Sequence, residues 1–309
     1  MVGLAPDCKV LTASIGMTEQ LLSRIQQEFL KNNPNATSSE LEAEVKKHAE
    51  DLEEWGKEWT TYIAPSIAEA IRYLVDHGVR VINISSFLSK QLPKYYYPKE
   101  WDESAWEELE KAFAYAEDND VIIVLGAGNN AMRCEDYPGR ELTIVVGATL
   151  LNDERWEEKY EIEYMGEKIK QGSNYGKITV MAPVENLTVC APHEERFYSW
   201  EDGPMGSGKL EFEDAYDILS IGATSSAAPI VTSLIALVYS LRPDLDARSV
   251  VEIIKQGCDD IGEQGYDMYT GWGRVNFAKT LEIAEQAGES SRCPACVQPF
   301  ADLLSRLRI

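Results

Sequence analysis

The sequence predicts an α/β fold with a mostly parallel central sheet and helices on both of its faces. Two observations predict it. Short runs rich in Val and Ile alternate with helical segments, and most of these runs are bounded by Gly, Asn, Asp or Pro. Continuous apolar runs of this kind read as strands buried on both faces of a parallel sheet. Alternation of strand and helix then sets the helices against the two faces. The 44% hydrophobic content of the 309 residues is ample for a large core.

The candidate strands, in order, are Lys9–Ile15, Arg80–Ser85, Val121–Leu125, Leu142–Val146, Ile178–Met181 and Ile218–Ile221. Between them, Ile67–His77 and Trp106–Glu117 read as helices, each ending near a turn signal. Two stretches read as insertions. Residues 18–59 are charged and helical, with Leu21, Leu22, Ile25 and Phe29 spaced to pack one face on the body. Asn33-Pro34 breaks that insertion, and Thr37-x-x-Glu40 fits a capping box. Residues 88–104 carry three adjacent tyrosines, Tyr95–Tyr97, with prolines on either side, and read as a loop. One domain is expected over residues 1–287, followed by a tail, 288–309, with a short helix at Phe300–Leu307.

The net charge of −23 excludes nucleic acid as an expected partner, because phosphate binding needs a basic patch. No apolar run reaches the roughly 18 residues of a bilayer span. The first residues, MVGLAPDCKV, lack the basic region and apolar stretch of a signal peptide. Of the six cysteines, Cys8, Cys134, Cys190 and Cys258 are scattered and read as buried free thiols, although spacing alone does not exclude pairing. Cys293 and Cys296 form a lone CxxC without the further ligands a zinc site needs. No metal or other cofactor is expected.

The segment that carries chemistry is Gly222-Ala-Thr-Ser-Ser-Ala-Ala-Pro229, followed by the apolar helical run Ile230–Tyr239. A strand ends in small residues and turns directly into a helix. A serine at such a turn sits where backbone N–H groups and the helix dipole favour negative charge on its oxygen. Pro229 fits a first helical turn, where its missing N–H costs nothing. The same segment also fits a capped buried helix, since Ser and Thr are ordinary N-caps.

This segment resembles the GTSMAAP nucleophile motif of the subtilisin-like serine proteases. Thr224, Ser225, Ala227, Ala228 and Pro229 match, while Ala223 and Ser226 replace the usual Gly and Met. The Ala-Ala-Pro register selects Ser225 as the nucleophile. The resemblance runs in order along residues 1–285. Gly3–Asp7 is similar to GVAPD, Ile67–Ser85 to the IAxAIxYAVDxGADVINMS helix and strand, and Val121–Asn129 to VVVVAAAGN. Val146–Ala148, Ser173–Gly176, Met181–Pro183, Pro243–Leu245 and Gly271–Asn276 match the remaining landmarks.

The resemblance implies a three-layer subtilisin-like fold and a serine endopeptidase that cuts polypeptides through an acyl-enzyme on Ser225. It implies that Asn129 is the oxyanion donor, partnered by the Ser225 backbone N–H. The sedolisin relatives place Asp at that position, so Asn129 points away from them. It implies that Ser85, Ser86 and Phe87 pair with substrate as an added strand. It implies that Leu125, Gly126 and Ala127 line the pocket for the residue before the cut. Phe87 stands where the family has Gly, and a large side chain there narrows or covers that pocket.

Serine needs a base to take its proton, and the base needs an orienting acid. The histidines are His48, His77 and His193, and none lies in an HGTH-like motif; no DTG-like motif is present either. The family's first strand and its histidine helix therefore read as missing, and with them two triad members. That predicts a natural domain longer than this sequence, or a separate segment supplying Asp and His, and an isolated chain without useful activity. Polypeptide substrates or peptide-like inhibitors are the expected partners. The alternative is a non-catalytic module of the same fold that binds a peptide or partner protein.

Overall fold

The structure, a computed structural model, describes residues 5, 8–13, 29–33, 36–37, 40, 43–44, 47, 64–90, 103–164, 167–190, 194–199, 206–211 and 216–287. The expected Gly3–Asp7 landmark lies mostly outside them, as do most of the 18–59 insertion, the tyrosine loop, the CxxC and the tail.

Helix α1, Ala64–Asp76, forms because Ala64, Ile67, Ala68, Ile71, Leu74 and Val75 fall on one face, which is buried. It stops at Gly78, whose φ of 76° suits only a residue without Cβ. Strand β1, Val81–Ile84, follows. Helix α2, Glu103–Asp118, buries Trp106, Leu109 and Phe113 on its inner face and leads into β2, Ile122–Gly126. Then come β3, Arg133–Cys134, β4, Thr143–Thr149, and the antiparallel pair β5, Glu157–Tyr164, and β6, Glu167–Gly172. Strand β7, Tyr175–Gly176, pairs with β3, and β8, Val180–Pro183, joins the main sheet. Strands β9, Glu185–Cys190, β10, Glu194–Ser199, β11, Gly206–Glu211, and β12, Tyr216–Ile221, precede three helices. These are α3, Thr224–Leu241, α4, Ala247–Gln256, and α5, Phe277–Gln286.

The central sheet runs β1-β2-β4-β8, with every pairing parallel. Its two faces carry separate cores. Ile122, Val124, Ile144, Val146 and Val180 pack with Val231, Leu234, Ile235 and Val238 of α3 and with residues of α4 and α5. Ile82, Ile84, Ile123, Leu125, Val145 and Met181 pack with α1 and α2. Alternate residues of β2 thus enter opposite cores, as a strand of period two requires. The three layers are those the sequence predicts.

Two expected strands differ. Residues 9–13 of the Lys9–Ile15 run form no strand, and Ser14 and Ile15 lie outside the described residues. Val10 is 83% exposed and the run has no pairing neighbour among the described residues; only Ala13 packs against the core shared with α1 and α2. The Ile218–Ile221 run does become β12, but it pairs antiparallel with β9 and stays out of the parallel sheet. That ribbon delivers the chain from the end of the sheet to the start of α3. The hairpins β5–β6 and β10–β11 were not anticipated.

Local signals elsewhere held. Thr37 N–H donates to Glu40 Oε2 at 2.8 Å, and Glu40 N–H reaches Thr37 Oγ1 at 3.4 Å, the reciprocal pattern of a capping box. Cys134 and Cys258 are buried free thiols, whereas Cys8 is free but exposed. Helix α3 is 18 residues long and apolar enough by composition to cross a bilayer, a length the sequence reading allowed no apolar run. Half of it is buried inside the fold, where it acts as the helix that spans the sheet.

Candidate active site

Ser225 is the second residue of α3. Its helix has no side-chain cap at Ala223, and the first turn offers no intrahelical acceptor to the Ser225 N–H. The residue is exposed, while its neighbours Thr224, Ala227 and Ala228 are buried. The Ser225 hydroxyl is thus held at the surface by a helix whose body is locked in the core. Gly222 leads into it, and its N–H donates to Val184 O at 2.6 Å, which ties the turn to the chain leaving β8.

Asn129 lies three residues beyond the end of β2. Its carboxamide oxygen accepts from the Thr224 N–H at 3.1 Å and from Thr224 Oγ1 at 2.7 Å. Within a carboxamide only the oxygen accepts, so Oδ1 must face the Thr224 N–H and Nδ2 must face the other way. The two candidate residues are therefore joined through one residue, Thr224, whose place in the motif does not by itself reveal this role. Thr224 Oγ1 also accepts from the Gly128 N–H at 3.1 Å. Buried Asn174 fixes the same loop: its Oδ1 accepts from Asn130 and Met132 N–H, and its Nδ2 donates to Ala127 O at 2.9 Å. The Ser-Asn-Tyr-Gly landmark carried that signal without naming the contact.

On the other side of Ser225 lies the segment after β1. Ser225 Oγ donates to Ser85 O at 3.0 Å, and Ser85 Oγ donates to Ser225 O at 2.9 Å. Asn83 Nδ2 donates to Ser85 Oγ at 3.0 Å, and Thr232 Oγ1 donates to Asn83 Oδ1 at 3.2 Å. A chain of side chains thus links the outer strand of the described sheet to α3. Ser86 and Phe87 are half-buried. The Phe87 ring covers Gly128: a Cβ built on that glycine would lie 2.7 Å from Cδ2. It also meets Tyr137 edge-on, with centroids 6.1 Å apart.

The segment Leu125–Ala127 divides by face. Leu125 and Ala127 point into the core shared with α1 and α2. Only Gly126 faces the serine helix, where an added Cβ would stand 3.2 Å from Thr224 O. Ala127 O accepts from both Tyr137 Oη, at 2.7 Å, and Asn174 Nδ2, so its lone pairs are engaged. Burial pushes the Tyr137 phenol well above its ordinary pKa, which keeps it a hydrogen-bond donor here.

His77 ends α1 with its Nδ1 2.7 Å from Tyr73 O and its ring stacked 4.0 Å from that tyrosine. No bond joins it to Ser225. His48 and His193 lie outside the described residues. Among the described residues no three His, Cys, Asp or Glu side chains converge as metal ligands. Cavities of about 300 and 170 Å³ are lined by none of the candidate residues. In the larger one the polar wall is self-satisfied, with Arg274 paired to Asp153 and Asp259, and Asn276 donating to Asp259.

Comparison with known proteins bears on the family and the fold. A profile of the subtilase family matches residues 2–273. A probable subtilase-type serine protease of Deinococcus radiodurans is 24% identical over 223 residues, 70% of this chain and 26% of that protein. Mycosin-4 of Mycobacterium tuberculosis is 27% identical over 240 residues, 75% of this chain and 48% of its own length. The chain thus spans between about a quarter and a half of the length of these curated relatives. The crystal structure of a lanthipeptide protease superposes with a TM-score of 0.52 at 19% identity, covering 71% of this chain and 66% of that one.

Proposed function

Since this chain belongs to the subtilase family, we propose that it carries the nucleophile half of a serine endopeptidase site. Ser225 Oγ attacks the scissile carbonyl carbon, and its proton passes to a base. The carbon–nitrogen bond then breaks, the amine leaves with that proton, and water releases the acyl group from Ser225. Asn129 Nδ2 and the Ser225 N–H receive the negative charge that develops on the carbonyl oxygen. The observation that carries this reading is the carboxamide held by Thr224. Two donors engage Oδ1, so Nδ2 is the group left to meet a substrate, one residue from an exposed serine at a helix N-terminus.

We place the base and its orienting acid on a segment outside this sequence, supplied by the same gene product or by a separate chain. Strand β1 supports this, since it pairs only with β2 among the described residues and leaves its outer edge open to a further strand. Until that segment docks, the Ser225 hydroxyl rests on Ser85 O. An accepting carbonyl cannot take its proton, so this chain alone is expected to be inactive.

Labelling with a fluorophosphonate, which reacts with activated serines, tests the reading. The chain as given should label poorly. The same chain extended by its native upstream coding sequence should label at Ser225 and cleave peptides at about 1 s⁻¹ or faster, with Ser225→Ala abolishing both. An extended protein that folds, carries Asp and His motifs, and leaves Ser225 unlabelled would favour the second reading, a peptide-binding module. The hydrogen bond from Ser225 to Ser85 O and the ring of Phe87 over Gly128 are the observations on that side.

A further inference from the structure

The nucleophile stands between two chain segments. Residues 85–87 flank it on one side, held by the reciprocal bonds of Ser85 and Ser225. Residues 126–129 flank it on the other, held by Thr224. A carbonyl within reach of both Ser225 Oγ and Asn129 Nδ2 must lie between these segments. On the endopeptidase reading, the gap between Phe87 and Gly128 is where the side chain on that carbonyl's own residue would go.

That gap is filled from within. Gly128 adopts a φ of 93° and offers no side chain of its own, and a Cβ there would meet the buried Asn174 Nδ2 at 2.5 Å as well as the Phe87 ring. The Phe87 ring lies on it, with Cδ2 and Cγ only 2.7 and 2.8 Å from where a Cβ would stand. Tyr137 backs the ring edge-on, and its hydroxyl is anchored to Ala127 O at 2.7 Å. Leu88, the next residue, is fully buried, so the backbone carrying Phe87 is pinned as well. The ring is seated, and a large substrate side chain would have to displace it.

We propose that Phe87 sets the specificity of this site by closing the space beside Ser225, so that the residue before the cleaved bond is glycine or alanine. A methyl group or hydrogen fits against the ring edge, whereas Leu or Phe must expel the ring from Gly128. This inference rests on the endopeptidase reading and names its substrate class.

The complete native protein, assayed on peptides that differ only in the residue before the cut, tests it. Ala or Gly peptides should exceed Leu and Phe peptides in kcat/KM by about tenfold or more, the discrimination that a few methylenes in a shaped pocket supply. In Phe87→Ala that ratio should fall by about tenfold or invert. Phe87→Leu keeps an apolar contact with Tyr137 and should move the ratio in the same direction, so it decides the matter where Phe87→Ala does not fold. A native preference for Leu or Phe, or a ratio that neither variant changes, overturns the inference and leaves the peptidase reading standing. Absence of cleavage of every peptide, together with an unlabelled Ser225, overturns both.

Discussion

Thr224 does two jobs with one hydroxyl: it donates to Asn129 Oδ1 and accepts from the Gly128 N–H. Replacing it by Val, close in size, leaves Asn129 Oδ1 with the backbone donor alone and removes the acceptor of a buried N–H. In the complete protein Asn129→Ala should lower kcat by about 10²–10³, the usual cost of an oxyanion donor. Thr224→Val should lower kcat by about tenfold, the worth of one hydrogen bond, with KM little changed and Thr224→Ser restoring most of the loss. Steady-state kinetics separate the two constants, and a rise in KM at constant kcat would show that Thr224 acts in binding instead. Ser225 and Asn129 were legible in the sequence because each sits in a short motif with its own chemistry. The bonds of Thr224 and Asn174 were not, because their partners lie 95 and 47 positions away. Phe87 was legible as a departure, but the surface it covers was not.

Among elements, the tie between β1 and the turn after α3 rests on Arg80. Its guanidinium donates to Pro243 O at 2.8 Å and Leu245 O at 2.6 Å, and it lies 3.7 Å over the Tyr239 ring. Asp120, 3.8 Å away, balances its charge and also accepts from the Ala247 N–H at the start of α4. Arg80→Ala should lower the unfolding free energy by about 2–3 kcal/mol, since it leaves two carbonyls without a charged donor. Arg80→Lys should recover only part of this, because a single ammonium lacks the planar fork that spans both carbonyls. Urea unfolding of the three proteins measures it, and a change within about 0.5 kcal/mol for Arg80→Ala would show the clamp to be ornamental. Strand positions were readable from Val and Ile runs, as β1, β2, β4 and β8 show. Strand partners were not, because a run carries its burial pattern but not the identity of its neighbour. So β12 lies outside the parallel sheet that its Ile-rich run predicts, and residues 9–13 form none of the strand expected over Lys9–Ile15.

On the scale of the molecule, the architecture was legible because many weak landmarks occur in one order, and a single chain threading satisfies all of them. The same threading determines which ionisable groups are buried, and that sets how the protein responds to alkali. Burial pushes the Cys258 thiol from an ordinary 9.0 up to about 12, with Asp259 adding to the rise and Lys279 opposing it. Burial likewise pushes the Tyr239 phenol from 10.0 to about 12, against the pull of Arg80. Cys134 is raised for the same reason. Each of these groups is neutral when protonated and binds its proton more tightly folded than unfolded. Their contribution to stability is therefore complete below the unfolded values and is lost as pH rises through the folded ones. Unfolding free energy should be flat up to about pH 8 and fall between about pH 9 and 12, with Cys258 accounting for about 3–4 kcal/mol of the full loss. Urea titrations at pH 8, 9 and 10 read the slope directly. Cys258→Ala should make that slope shallower while lowering stability at pH 8, because the cavity costs something at every pH but the thiolate only in alkali. A variant whose slope matches the parent would mean that Cys258 is not the group whose ionisation unfolds the chain.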